Sequence, residues 1–406
     1  MQTWLFALCL STWLVGCADA PDLGEAADVT ASEQAIIYGS DDRLEVYEHE
    51  SAVLKGIAAS AVVALVPRSR FLQTPAGEFA IFTRPLEQAF QVCADERFAA
   101  QPTAADCSGV LIDEDLVLTA GHCFASDDAC AQFSFVFDYY YRAPGSLEPI
   151  GWGDVYGCRR IAHRSLSSLT AGTRVDYALV QLDRKAAGRT PVSIRRDALA
   201  QGEPLATVGS ASGLPAKIDS GSHVLDVRAQ QLDYFLLDSD TFAGSSGSGV
   251  FDAQGALVGV LVRGGADWVR RPGQDCMVPK VVRLPTDANV PRPDQGEEAT
   301  YVARALDGLC GAGWPSERLC ALATRCGDGF CSAGETRAVC PADCGCAGAT
   351  CDQERAAKAA APGAIAKRKS DGCGLGASSD GALAALASLA LAALASRARR
   401  RRVRGS

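Results

Sequence analysis

Short apolar runs, broken by glycine, proline, aspartate and serine, recur along the first two thirds of the chain. The clearest are residues 61–66, 134–137, 177–182 and 257–262. Runs of this length between turn-forming residues are typical of antiparallel strands rather than helices. The pattern predicts an all-β body. At 406 residues, the chain has room for one large domain and at least one small one.

An apolar segment near the start of the chain has a different role. Residues 4–15 have the length of a signal-peptide core. The sequence Leu-Val-Gly-Cys that ends at Cys17 resembles a bacterial lipobox, which would place a lipid on Cys17. Cleavage after Ala20 by ordinary signal peptidase is the alternative. Either route predicts export.

A second apolar segment lies near the end of the chain. Residues 381–396 are small or apolar, and a cluster of arginines begins at Arg397. Positive charge after such a segment would keep that end cytoplasmic in a membrane. With Cys373 before it, the whole is similar to the MYXO-CTERM sorting signal, which implies attachment at the cell surface. An ordinary tail anchor is the alternative.

The chain holds seventeen cysteines, of which six lie between Cys93 and Cys276 and eight between Cys310 and Cys351. Even counts in both regions predict disulfides and an oxidising compartment. The second group resembles a short Cys-rich repeat seen in secreted and surface proteins of myxobacteria. A zinc module is the alternative for this group, and its role as a spacer or a binding module stays open.

Charge and motifs exclude several classes of partner. The formal net charge is −9, and the arginine-rich tail makes the rest of the chain more acidic still. Such a body would be repelled by phosphate backbones, so nucleic acid is not an expected partner. The sequence contains no H-E-x-x-H, no Walker A run and no strand-to-helix G-x-G-x-x-G. We therefore expect no metal site and no cofactor.

The run Gly-Ser-Ser-Gly-Ser-Gly at residues 244–249 holds the candidate nucleophile. A hydroxyl that attacks a carbonyl needs a tight turn and backbone N–H groups aimed at the oxyanion. Ser246 has a glycine two residues before it and another directly after it, whereas the residue two before Ser245 is alanine and the residue two before Ser248 is serine. We predict Ser246 as the nucleophile and the N–H groups of Gly244 and Ser246 as the oxyanion hole. A flexible loop is the alternative for this run alone.

His122 and Asp176 complete the predicted triad. His122 follows a strand-like apolar run and adjoins a cysteine that can pin it. Asp176 opens the run 177–182, so its carboxylate would lie at the edge of a buried strand and orient an imidazole. Its rivals are Asp183 and Asp154. The order His, Asp, Ser and the strand-like run after Ser246 both disagree with an α/β-hydrolase elbow. The other histidines are predicted to be structural or surface residues: His49, His163 and His223.

Together these segments resemble the trypsin-like (chymotrypsin-fold) serine proteases, and more closely the bacterial V8-like glutamyl endopeptidase branch. Residues 107–123, 176–182 and 240–248 carry the likeness, and residues 36–43 are similar to the mature amino terminus of that branch. Ser245 stands where trypsin has an aspartate that pairs with a newly cut amino terminus. Activation by that ion pair is therefore not expected.

The resemblance implies a fold of two antiparallel β-barrels and cleavage of protein or peptide substrates through His122, Asp176 and Ser246. It also implies a disulfide between Cys107 and Cys123. Pairing of Cys130 with Cys158 is a conjecture. A catalytically silent protease fold that serves as a surface binding module is the alternative function. The complete triad argues against it.

The resemblance also suggests where the substrate side chain would lie. Asp240 falls six residues before Ser246, where trypsin carries the acid that selects arginine or lysine. Arg263 falls where trypsin has a tryptophan, and it would either neutralise Asp240 or attract an acidic side chain. The choice between basic and acidic P1 residues therefore stays open. The predicted pocket residues are Asp240, Thr241, Val262, Arg263 and Gly264.

Composition shifts give the predicted domain order. The segments are a signal peptide at 1–17, a propeptide or linker at 18–35, the protease domain at 36–285, a linker at 286–308, the Cys-rich module at 309–352, a linker at 353–372 and the sorting or anchor segment at 373–406. This order predicts an exported protein that is held at the cell surface or released after processing. Its membrane contact would be the C-terminal segment, with or without an N-terminal lipid.

Overall fold

A computed structural model of the chain describes residues 37–73, 79–168, 173–265, 267–282, 296–322, 326–331 and 339–344. The predictions for the two chain termini, including those for Cys17 and Cys373, lie outside the described residues. Among the helices in the described ranges, none is both long and apolar enough to cross a membrane.

The first half of the described chain forms short strands with brief helices between them. The strands are β1 (Ile37–Tyr38), β2 (Leu44–Glu45), β3 (Val62–Pro67), β4 (Phe71–Gln73), β5 (Phe79–Ile81), β6 (Arg84–Pro85), β7 (Pro102–Thr103), β8 (Cys107–Asp113), β9 (Leu116–Thr119), β10 (Phe133–Val136), β11 (Tyr141–Ala143), β12 (Ser146–Leu147), β13 (Val155–Leu166) and β14 (Asp176–Leu182). The helices are α1 (Ala52–Ser60), α2 (Leu86–Phe90) and α3 (Ala129–Gln132).

The second half continues the pattern and ends in helices. The strands are β15 (Pro204–Gly209), β16 (Lys217–Asp226), β17 (Tyr234–Leu237), β18 (Gly249–Asp252), β19 (Leu257–Arg263), β20 (Trp268–Arg270), β21 (Met277–Pro279), β22 (Val281–Val282) and β23 (Glu297–Tyr301). The helices are α4 (Val302–Gly311), α5 (Glu317–Cys320) and α6 (Pro341–Cys344).

Six strands close the first barrel in the order β10-β13-β14-β9-β8-β3, with every neighbouring pair antiparallel. Its strands are nearly continuous apolar runs because both faces are covered. In β14, for example, every residue except Gln181 is buried. One hydrophobic cluster fills this barrel and extends to Phe251 and Val260 of the second barrel. The two barrels therefore pack through shared core.

Six strands also close the second barrel, in the order β15-β18-β19-β23-β17-β16, with β16 pairing back to β15. Strand β2 extends the β16 edge. A separate cluster that includes Phe235, Leu261 and Tyr301 forms its core. The prediction of an all-β protein with two antiparallel barrels is confirmed, and the architecture is that of the chymotrypsin fold.

The predicted linker at 286–308 is wrong for its last twelve residues. Residues 297–301 form β23, which pairs with both β17 and β19 and completes the second barrel. The helix α4 follows directly, and its Leu306 and Leu309 lie in the core of the first barrel. The folded body therefore extends past the predicted boundary at residue 285. The two consecutive glutamates gave no sign of a core strand, because glutamate is rarely fully buried.

Part of the Cys-rich segment belongs to the same body. Phe330 is fully buried in the core of the second barrel, 5.3 Å from the ring of Tyr301. The buried guanidinium of Arg196 donates to the carboxylate of Asp328 at 2.7 Å. The segment around residues 326–331 is thus packed on the barrel rather than tethered beside it.

Disulfides join the described cysteines of both regions, as the even counts predict. The pairs that carry sequence predictions are both present: Cys107–Cys123 and Cys130–Cys158. The other pairs are Cys93–Cys276, Cys310–Cys320, Cys326–Cys340 and Cys331–Cys344. The zinc alternative is wrong for these cysteines of the second group, because a sulfur in a disulfide is not a thiolate ligand.

Candidate active site

His122 lies on a short 3₁₀ turn, Gly121–Phe124, directly after β9. The disulfide from Cys123 to Cys107 ties this turn to the start of β8. The imidazole remains partly accessible, with a side-chain exposure of 38%. The fold therefore fixes the backbone of the predicted base and leaves its ring open on one side.

The carboxylate of Asp176 contacts this turn with both oxygens. Oδ1 accepts hydrogen bonds from the backbone N–H groups of Gly121 at 2.6 Å and His122 at 3.1 Å. Oδ2 lies 3.0 Å from Nδ1 of His122. Because a carboxylate only accepts, Nδ1 carries the proton in this contact, and Nε2 of the neutral ring is an acceptor. Asp176 is 1% exposed, so the orienting contact is shielded from water.

Strand β23 of the second barrel also holds the backbone of Asp176. The hydroxyl of Thr300 in β23 accepts from the backbone N–H of Asp176 at 3.2 Å and donates to its carbonyl at 3.0 Å. The predicted rivals have other roles. Asp183 accepts from the N–H of Gly157, and Asp154 pairs with Arg189.

The other histidines have structural partners. His49 bonds the Ser220 hydroxyl through Nε2, and His163 faces the Tyr177 hydroxyl at 3.2 Å. His223 lies 4.0 Å from Asp238. Of the described imidazoles, His122 is thus the one held against the Asp176 carboxylate.

The loop that carries Ser246 crosses from the second barrel onto the first. The carbonyl of Ser246 accepts from the N–H of Ser108 in β8 at 2.7 Å. Gly247 has a φ of +89°, and a Cβ there would lie 1.9 Å from the Ser108 carbonyl oxygen. Only glycine permits so close an approach. The loop is thereby seated beside Cys107, whose disulfide leads to the His122 turn.

Backbone donors in this loop divide into two sets. The N–H groups of Ser245, Gly247 and Ser248 donate to the carbonyls of Phe242, Leu261 and Ser245. Those of Gly244 and Ser246 have no acceptor among the described residues. These two are the groups predicted to form the oxyanion hole, and both remain available for a ligand.

The neighbouring serines have different surroundings. The Ser245 hydroxyl accepts from the N–H of Phe242 at 3.2 Å. The Ser248 hydroxyl is buried without a hydrogen-bond partner in the described part of the chain. Ser246 is half-buried at the surface of the loop.

Two of the predicted pocket residues, Asp240 and Val262, are buried. The Asp240 carboxylate accepts from the N–H groups of Tyr38 at 2.9 Å and Asp42 at 3.1 Å, so it anchors the N-terminal segment. Burial and the nearby Asp219 carboxylate raise the pKa of Asp240. Val262 is 1% exposed and packs in the hydrophobic core, and its place in a substrate pocket stays a prediction. Alternation along β19 turns its side chain inward.

Arg263 does not contact Asp240, the first of the two alternatives that the sequence left open. Its guanidinium contacts Asp176 and Glu298 instead. Strand register decides this outcome, because Arg263 lies opposite Glu298 across the β19–β23 pair. The other alternative, attraction of an acidic substrate side chain, stays a prediction.

Glu297 was missed from the sequence and lies beside Thr241 and Gly264. Its Oε2 accepts from the Thr241 hydroxyl at 2.7 Å, and a Cβ at Gly264 would lie 1.8 Å from the same oxygen. Its Oε1 accepts from the Tyr38 hydroxyl at 3.3 Å. Burial raises the pKa of this carboxyl well above its usual range. A six-stranded second barrel needs one more strand after β19, and that requirement could have pointed to the segment that begins at Glu297.

Known proteins that are similar to this chain include one peptidase family and several solved protease structures. A family model described as a trypsin-like peptidase domain matches residues 107–260, which include His122, Asp176 and Ser246. No curated protein matches the chain. Among solved structures, a Glu endopeptidase in complex with MPD is similar at 17% identity and a TM-score of 0.37, covering 56% of this chain and 88% of that one.

A second similar structure is the Vibrio cholerae VesB protease. It has 16% identity and a TM-score of 0.36, and the match covers 66% of this chain and 64% of that one. Residues 107–260 are thus similar to a trypsin-like peptidase domain, and the two closed barrels have the architecture of the chymotrypsin fold.

Proposed function

We propose that this protein is an exported serine endopeptidase that uses His122, Asp176 and Ser246. The contact of Asp176 Oδ2 with His122 Nδ1 at 3.0 Å carries the proposal. With Oδ1 bound by two backbone N–H groups, the carboxylate cannot turn away from the ring. Such an arrangement fixes the imidazole tautomer that a serine nucleophile requires.

The chemistry follows from that tautomer. Nε2 of His122 takes the proton of the Ser246 hydroxyl as Oγ attacks the substrate carbonyl carbon. Asp176 stabilises the imidazolium that forms. His122 then gives the proton to the leaving amine, and the acyl group remains on Ser246. Water, deprotonated by the same ring, hydrolyses the acyl-enzyme.

The oxyanion that forms during each attack needs donors already in place. The unpartnered N–H groups of Gly244 and Ser246 supply them in this proposal. Preorganised donors of this kind contribute roughly 10²- to 10³-fold to the rate. The alternative, a silent binding module, has no need of two unpartnered donors or of a buried carboxylate on the histidine.

We further propose that the substrate side chain at P1 is basic. Glu297 and Asp240 are both acidic and lie at or beside the predicted pocket residue Thr241. Within the described residues, neither carboxylate forms a salt bridge. The remaining pocket cation, Arg263, is committed to Asp176 and Glu298. A substrate lysine or arginine would supply the counter-charge that these buried carboxyls lack, whereas a substrate glutamate would meet an arginine that is already paired.

Export and surface attachment remain part of the proposal. The disulfides of the folded body suit an oxidising compartment outside the cytoplasm. The N-terminal leader, Cys17, Cys373 and the C-terminal apolar segment are proposed to direct export and retention. Labelling of intact cells with a membrane-impermeant biotin reagent tests surface display.

Hydrolysis of fluorescently labelled, denatured casein tests the enzymatic proposal. We expect the Ser246→Ala variant to lose activity by at least about 10⁴-fold. Ser248→Ala is the matched control, because that hydroxyl has no partner among the described residues and should be dispensable. Equal activity of Ser246→Ala and the wild type would show that another group does the chemistry.

A further inference from the structure

A cavity of about 140 Å³ lies where the first barrel meets the turn that carries Ser212. Most of its wall comes from residues between Arg70 and Asp106, which lead from the first strands to β8, and the rest comes from Ser212. A volume of this size suits one side chain rather than a large ligand. Among the described residues that line it, none is a predicted pocket residue, so the cavity is separate from the proposed P1 pocket.

Ser212 joins this cavity to the proposed oxyanion hole. Its backbone N–H donates to the Ala243 carbonyl at 2.7 Å. A Cβ at Gly244 would lie 2.8 Å from the backbone nitrogen of Gly213. The turn that carries Ser212 therefore lies directly against Gly244, one of the two proposed oxyanion donors.

Another part of the cavity wall leads toward His122. Asp106 lines the cavity and precedes Cys107, whose disulfide leads to the His122 turn. In the proposed mechanism His122 gives its proton to the leaving amine, so the leaving amine lies on that side of Ser246. The cavity therefore suits a substrate residue that follows the scissile bond rather than the P1 residue that precedes it.

One guanidinium of the cavity wall has no partner. Arg70 pairs with Asp106 at 2.9 Å and also donates to the Ala104 carbonyl, so the charges of this pair offset each other. Arg84 is exposed, and its guanidinium forms no hydrogen bond or salt bridge with any described residue. The wall therefore carries a net positive charge from Arg84.

The hydroxyl of Ser212 is a second polar group without a partner. Ser212 is 2% exposed, and its Oγ has no hydrogen bond within the described part of the chain. Such a group is unfavourable because burial has removed its bonds to water. A ligand oxygen in the cavity would supply the missing partner. The rings of Phe82 and Phe90 also line the cavity and can pack against methylene groups.

We propose that this cavity is a subsite for an acidic side chain, aspartate or glutamate, that follows the scissile bond of the substrate. The inference rests on the proposed function, since it adds a second point of recognition to the same enzyme. Arg84 attracts the carboxylate, and the Ser212 hydroxyl donates a hydrogen bond to it. Arg84 would repel a lysine or arginine at the same substrate position. Electrostatic complementarity of this kind gives specificity more than raw affinity.

Cleavage of quenched-fluorescence peptides by the full chain tests the subsite. Each peptide has the P1 residue that the wild type cleaves best, and it carries aspartate or asparagine at one of the three positions after P1. At one of those positions, kcat/KM for the aspartate peptide should exceed kcat/KM for the asparagine peptide by about 5- to 10-fold. Added salt should reduce this ratio, because Arg84 is exposed and its charge is screened.

Variants of the two unpartnered groups assign the preference. Arg84→Gln should bring the ratio close to one, Ser212→Ala should lower it about twofold, and Arg84→Lys should retain most of it. Arg142→Gln is the matched control, because it removes an exposed arginine that does not line the cavity, and it should keep the wild-type ratio. Both peptides are compared on the same protein, so a general loss of activity or of folded protein cancels in the ratio.

Two results would overturn the subsite: a ratio near one at all three positions in the wild type, or an unchanged ratio in Arg84→Gln. A wild type that cleaves no peptide would instead count against the proposed function. Binding then decides the subsite in an anisotropy titration with a fluorescein-labelled aspartate peptide. This peptide should bind the wild type several-fold more tightly than Arg84→Gln, and equal binding would rule the subsite out.

Discussion

The hydroxyl of Thr241 donates to Oε2 of Glu297 at 2.7 Å, and this contact links the loop before Ser246 to the last strand of the second barrel. Glu297 is 1% exposed and has no basic partner among the described residues. A buried carboxyl in that setting resists ionisation. This carboxyl therefore keeps its proton to a higher pH than an exposed glutamate does, because burial raises its pKa.

Substitution Glu297→Gln should stabilise the protein more at high pH than at low pH. Burial raises the pKa of Glu297, so the folded protein holds this proton more tightly than the unfolded chain does. Its contribution to stability is complete at low pH and is lost as pH rises toward the raised pKa. Glutamine cannot ionise and escapes that loss.

Thermal melts at pH 4 and pH 8 measure the effect. At pH 8 we expect the melting temperature of Glu297→Gln to exceed that of the wild type by roughly 2–4 °C for each kcal/mol gained in the free energy of unfolding. At pH 4 the two melting temperatures should be nearly equal. Glu114→Gln, at an exposed residue paired with Lys185, is the control and should show no comparable gain with pH. An equal difference in melting temperature between variant and wild type at pH 4 and pH 8 would contradict a raised pKa for Glu297.

Glu297→Gln should also weaken cleavage after basic residues. A charge-assisted contact to a substrate lysine or arginine is worth enough that its loss should reduce kcat/KM by about 10- to 100-fold. Peptides with an uncharged P1 residue should be affected much less. A peptide library with varied P1 residues, digested by both enzymes, measures this. Preferred cleavage after glutamate by the wild type would contradict the proposed substrate class.

Substitution Phe330→Ala should destabilise the two-barrel body itself. The ring is fully buried against Tyr301 in the second barrel, so its removal leaves a cavity and should cost about 3–5 kcal/mol. Val339→Ala is the control, because that side chain is 71% exposed and its loss should change stability by less than about 0.5 kcal/mol. Chemical denaturation monitored by tryptophan fluorescence gives both values. An unchanged midpoint for Phe330→Ala would show that the Cys-rich segment is not part of the domain core.

The sequence allowed His122, Asp176 and Ser246 to be singled out because each lies in a short local motif with its own backbone requirement. Gly247, for instance, is required by its positive φ and by the approach to Ser108, and both constraints act within a few residues of the nucleophile. The apolar runs likewise predict the buried strands of the two barrels, since a strand that is covered on both faces is apolar on both faces.

Other features depend on distant pairing and have no local signature. Glu297 and Glu298 look like part of a polar linker, yet the β19–β23 register places them against Gly264 and Arg263. The burial of Phe330 depends on a surface of the second barrel that forms only after folding. Arg263 could not be assigned a partner from its position alone, because that partner is set by the strand opposite.

The most direct test of the central claim is fluorophosphonate labelling of the full chain, followed by mass spectrometry of the modified peptide. The account predicts one covalent adduct on Ser246, and it predicts that His122→Gln slows labelling by at least about 10³-fold. Ser248→Ala should label like the wild type. A folded protein that takes no label, or takes it on another serine, would contradict the proposed triad.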